Sequence, residues 1–167
     1  MGRPEFKAIR YPTQWPPPEL PKYPSHPLSK IPVLGWPFRY FRWLRYSSRH
    51  QREVLDPIAE EIITQLELRP TDGPWPIDSE QKALATIVSE AVALEKGLAH
   101  SPALHPDDPF PVLFWGPFDD ITPAIVRMES RDKMNCEIPG DFIIDAWNQR
   151  WTIRRFIEQC TSITRSR

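Results

Sequence analysis

The chain has 167 residues, 21 of them proline, and a formal net charge of −1. That length permits one ordinary domain plus an arm, and two cysteines exclude a disulfide framework. The charge is unevenly placed: residues 1–52 hold ten Lys/Arg and two Asp/Glu, whereas residues 53–167 hold eleven and twenty, so a basic arm precedes an acidic body.

Ten of the prolines fall within the first 37 residues, which excludes a regular helix or central strand there. Pro18, Pro21, Pro24 and Pro27 recur at the three-residue period of polyproline II. Such a segment suits a strap laid over the domain, a semi-rigid spacer, or a ligand for an aromatic groove on a partner. The N-terminus has proline and charge where a secretion signal would have its apolar core, and no apolar run approaches a membrane span. The expected location is therefore cytoplasmic, with peripheral membrane contact open.

Phe38–Arg52 reads as a basic amphipathic helix. Arg39, Arg42, Arg45, Arg49 and Arg52 share one broad face, with Tyr40, Trp43 and Leu44 on the other. Its aromatics could pack into the core. Alternatively Arg39, Arg42, Trp43, Arg45, Arg49 and Arg52 could touch an anionic membrane or an acidic partner; phosphate contact with nucleic acid is the least favoured option. A helix follows over Glu53–Leu68, on Leu55, Ile58, Ile62 and Leu66, with Asp56-Pro57 offering an N-cap and a first-turn proline. A start further upstream, with a kink at Pro57, fits equally.

The clearest helix spans Asp78–Gly97, capped by Asp78 or Ser79 and closed by Gly97, with Leu84, Ile87, Val88, Ala91 and Leu94 as its stripe. Leu98–Phe118 is a proline-rich loop whose Phe110, Leu113, Phe114, Trp115 and Phe118 are too apolar to stay in water, so several should plug the core. A helix over Asp119–Met134 should face inward through Ile121, Ile125 and Met128, after an acidic first turn at Asp119 and Asp120. Asp141–Trp147 suits a short helix, and Thr152–Ile163 a final one buried through Ile153, Phe156, Ile157 and Cys160.

The order Asp108-Pro109-Phe110, Gly116, Asp119-Asp120, Glu137-Ile138-Pro139 and Trp151-Thr152-Ile153 resembles an acyl carrier protein over residues 79–163. The resemblance implies an all-α, small helical bundle, here with an extra N-terminal helix (53–78) and a Pro-rich arm (1–52). It also implies an acidic second helix offered to partners, which would make Asp119, Asp120 and Glu129, with Trp115 and Phe118 of the loop, candidate partner-binding residues. One departure matters most. Asp120 stands where the family carries its phosphopantetheine on Ser. A carboxylate cannot form that phosphodiester, and its charge repels the incoming phosphate.

The sequence shows no Gly-rich phosphate loop, no Cys-x-x-Cys and no His-Glu-x-x-His. His100, His105, Asp107 and Asp108 lack a recognised ligand spacing. No cofactor, metal or catalytic residue is expected. The reading is a non-enzymatic interaction module for another protein. The alternatives are a peripheral membrane protein anchored by 38–52, and an active carrier using a different Ser.

Overall fold

The structure is a computed structural model and describes residues 6–20, 35–116 and 121–165. Among these the regular structure is helical, and the one β-bridge is an isolated pairing of Pro109 with Thr152. The chain divides into two compact units, Pro12–Glu61 and Met1–Tyr11 with Ile62–Arg167.

In the first unit, residues 12–20 have no regular structure, as their proline content dictates. The three-residue proline repeat lies mostly outside the described residues. Helix α1 spans Gly35–His50, a π-helical stretch covers Gln51–Leu55, and α2 covers Asp56–Glu67, of which residues 62–67 belong to the second unit. The helix is thus continuous through Asp56, which is no N-cap: its φ and ψ are −61° and −44°, and its N–H donates to the Gln51 carbonyl. Its carboxylate instead accepts from Gln51 Nε2 at 2.9 Å. Pro57 explains the widening. A proline ring meets the carbonyl four residues back and donates nothing, and a π turn relaxes that conflict without breaking the helix.

The second unit holds the core. Helix α3 (Ser79–Lys96) begins where Asp78 Oδ1 accepts from the N–H groups of Glu80 and Gln81, and ends at Gly97 with φ 65°. Both ends match the sequence reading. Its buried stripe runs through Leu84, Ile87, Val88, Ala91 and Val92. Leu94, expected on that stripe, is exposed, and the last turn instead buries the side chains of Glu95 and Lys96.

The long loop carries a short helix, α4 (Phe110–Leu113), which the sequence did not signal. Phe110, Leu113 and Phe114 are wholly buried and Trp115 nearly so, so the loop plugs the core as expected. Phe118 lies outside the described residues. Phe110 stacks on Phe114 with centroids 4.0 Å apart, and both meet Phe156, at 4.8 and 5.8 Å. Such aromatic pairs add about 0.5–1.5 kcal/mol beyond area burial.

Helix α5 (Ile121–Met134) packs against α3. Its inward face differs from the expected one. Thr122, Val126 and Ser130 are fully buried, Ile125 is half-buried and Met128 is exposed. Small Thr and Ser side chains let the two helices approach, and a hydropathy count reads them as polar. Helix α6 (Gly140–Asn148) and helix α7 (Ile153–Arg165) complete the unit. In α7, Ile153, Phe156, Ile157 and Cys160 are all buried, as their spacing requires.

One buried ion pair ties these parts together. Arg69 Nη1 and Nη2 donate to Asp108 Oδ2 and Oδ1 at 2.7 and 2.6 Å, with both side chains almost without solvent contact. Arg69 also donates to the carbonyls of Ala103 and Lys7. Asp108 accepts from the N–H groups of Ile9 (2.9 Å) and His105 (2.8 Å). The pair therefore joins the strap Phe6–Arg10, the segment after α2 and the long loop. Breaking a buried pair from one side costs about 3–5 kcal/mol, because it strands the other charge. Asp108→Ala is expected to lower stability by about that much in urea titration, and Arg69→Met with Asp108→Leu to recover part of the loss.

Candidate functional site

The sequence nominated two surfaces, and they fare differently. Of the partner-binding set, Asp119, Asp120 and Phe118 lie outside the described residues. Trp115, nominated as a contact, is 7% exposed, so its ring serves packing and not an outward surface. Glu129 on α5 is half-buried and ion-paired with Lys133 Nζ at 2.8 Å; Lys133 also reaches Glu90 on α3 at 3.3 Å. These exposed pairs raise the Lys133 pKa, the hydrogen bond to Glu129 contributing most.

The inner end of that loop has its own electrostatics. Lys96 Nζ donates to the Trp115 carbonyl at 2.6 Å and lies 4.0 Å from Glu95, with both side chains buried. Burial lowers the Lys96 pKa, against the opposing pull of Glu95. The Glu95 carboxylate lies so close to Gly116 that a Cβ there would overlap it. Cys136 and Cys160 are buried, with Cys136 Sγ 3.9 Å from the Cys160 carbonyl. Burial, helped by Cys136, pushes the Cys160 thiol far up, so Cys160 behaves as a packed thiol.

The second surface is α1. Trp36 and Phe41 are 67% and 68% exposed, and Tyr40, Trp43 and Leu44 are exposed as well. Tyr40, Trp43 and Leu44 are the face whose burial the sequence left open, and all three are exposed. At 3.6 residues per turn the five together occupy about 160° of the helix circumference. Arg39, Arg42, Arg45 and Arg49 fill a separate arc of about 120°. Trp36 stacks on Tyr40 with centroids 5.9 Å apart, and Tyr40 meets Phe41 edge-on at 5.9 Å, so the rings form one apolar face. Arg49 pairs with Glu53 at 2.8 Å, and both groups are well exposed.

Where the apolar and basic arcs of α1 meet lies a hollow of ≈ 710 Å³ lined by Phe41, Leu44, Arg45, Ser48, Arg49, Arg52 and Glu53. In the other unit an open groove of ≈ 570 Å³ runs between α5 and α6, with Ala124, Arg127, Ile143, Ile144 and Trp147 among its walls. Arg127 Nε donates to the Ile138 carbonyl at 3.0 Å, which holds the guanidinium beside the groove. Sequence reasoning missed this groove because its walls come from two helices, and no local pattern shows how they face one another.

Among the described residues no group of three His, Cys, Asp or Glu could hold a metal ion, and no helix is long and apolar enough to cross a membrane. Asp108, drawn into a hypothetical cluster with His100 and His105, is committed to Arg69. No protein-family model, curated protein or solved structure matches the chain.

The Lys96 pKa has a testable sign. It lies below the usual 10.5 in the folded chain, so between the two values the unfolded chain holds a proton that the folded chain has released. The stability of the native protein relative to Lys96→Met should therefore rise as pH climbs toward the usual value of 10.5, measured by urea titration at each pH.

Proposed function

We propose that the chain is a non-enzymatic interaction module that seats α1 on an anionic membrane surface. The observation that carries this reading is the outward aromatic face of α1 beside its arginine arc. An amphipathic helix of this kind lies in the interface plane, with indole and phenol rings at headgroup depth and guanidinium groups toward lipid phosphates. Each basic residue beside an anionic leaflet contributes about 1 kcal/mol, and salt weakens that attraction. The attachment is reversible, since one surface helix without a lipid anchor binds weakly.

The helical body would then be the part presented to other proteins. This second reading is favoured by the groove between α5 and α6. Its exposed Ile144 and partly exposed Trp147, with Arg127 alongside, suit an apolar partner segment that carries a carboxylate. The sequence resemblance to an acyl carrier protein lacks the attachment Ser, so carrier chemistry is not part of the proposal.

Two experiments test these readings. The full chain should sediment with vesicles containing phosphatidylglycerol and not with phosphatidylcholine alone. Trp36→Ala with Phe41→Ala and Trp43→Ala should lose at least about ten-fold in binding, given about 1.5–3 kcal/mol for each fully buried large apolar side chain. Unchanged sedimentation of that variant would remove the membrane reading. Incubation with coenzyme A and a phosphopantetheinyl transferase should leave the intact mass unaltered; a gain of one phosphopantetheine would restore carrier function.

A further inference from the structure

The hollow on α1 has a composition that the membrane reading alone does not require. Arg45, Arg49 and Arg52 line it on the basic side, Phe41 and Leu44 on the apolar side, and Ser48 lies among them. Glu53 is the only carboxylate among these lining residues, and it engages Arg49 through Nε at 2.8 Å. Three guanidinium groups against one carboxylate leave two positive charges. A phosphodiester headgroup supplies one negative charge, whereas a phosphomonoester carries about −1.5 to −2 near neutral pH. Guanidinium forks match phosphate oxygens in pairs, which a diffuse basic face does not need.

We infer that Arg45, Arg49 and Arg52 form a headgroup cradle selective for a bilayer lipid that ends in a phosphomonoester. The inference rests on the membrane reading and narrows it to one lipid chemistry. Ser48 supplies a hydroxyl donor at the same wall. Phe41 and Leu44 face the glycerol and the upper acyl chain, so the lipid meets apolar and cationic surfaces in the order in which its own groups occur. Arg39 lies on the basic arc outside the hollow and contributes only general attraction.

Vesicles of phosphatidylcholine doped with phosphatidic acid are compared with vesicles doped with phosphatidylglycerol and matched in surface potential. The full chain should bind the phosphatidic acid vesicles several-fold more tightly. Arg45→Gln and Arg39→Gln remove equal charge from exposed positions, and circular dichroism verifies that both remain helical. Each should weaken binding about five-fold, the equivalent of about 1 kcal/mol per basic residue. Only Arg45→Gln should also bring the ratio between the two lipids toward one. Equal binding of the two anionic vesicles by the unaltered chain overturns the cradle and leaves membrane attachment standing. Absence of binding to either overturns both. Release of the protein by soluble glycerol phosphate, at concentrations matching the lipid phosphate, would assign the site to a free phosphate ester and overturn the bilayer assignment.

Discussion

The fold depends on a charge pair that has no water to fall back on. Arg69 and Asp108 are both withdrawn from solvent, and such a pair offsets its desolvation only when every remaining hydrogen-bonding position is used. Here both terminal nitrogens of Arg69 and both oxygens of Asp108 make further bonds. The guanidinium spends its other donors on the carbonyls of Lys7 and Ala103, and the carboxylate collects the N–H groups of Ile9 and His105. Three segments without regular structure are thereby fixed in place. Beside this junction, Phe110 and Ile153 donate to the carbonyls of Trp151 and Asp108, so the loop and the start of α7 share one short ladder. The aromatic cluster of Phe110, Phe114 and Phe156 sits on that frame.

A good part of this architecture was legible in the residues. Helix α3 was readable because its cap, stripe and terminal glycine agree with one another, and α7 because four apolar residues recur at helical spacing with arginines between them. The loop aromatics could be assigned inward on size alone. What escaped reading has a common physical origin. Arg69 and Asp108 lie 39 positions apart, and nothing local marks either as a partner of the other. Helix α5 turns small hydroxyl residues inward, because close approach to α3 governs there and hydropathy does not. Asp56-Pro57 left two readings open, and the chain takes the continuous one, widening one turn there.

The surfaces were less legible than the core. The periodicity of Phe38–Arg52 establishes a helix with two faces, but a helix with an aromatic face can bury it or present it. Only the exposure of Trp36, Phe41 and Trp43 decides between these outcomes. Trp115 was open to the opposite error, since an aromatic residue in a loop resembles a contact residue until its carbonyl is found holding Lys96. Gly116, which the sequence set in the place of a carrier protein's loop glycine, has a packing context of its own. A side chain there would have to displace the Glu95 carboxylate that lies against it.

The strap has a consequence for the order in which the molecule can assemble. Ile9 is synthesised well before its partner, because the carboxylate that receives its N–H lies 99 residues later. Until Asp108 has emerged, the leading segment has nowhere to settle, and contacts of such sequence separation form late. The stretch that follows the strap, Pro12–Pro18, suits the interval, because a chain poor in backbone donors has little means of pairing with itself or with its neighbours on the same message while it waits.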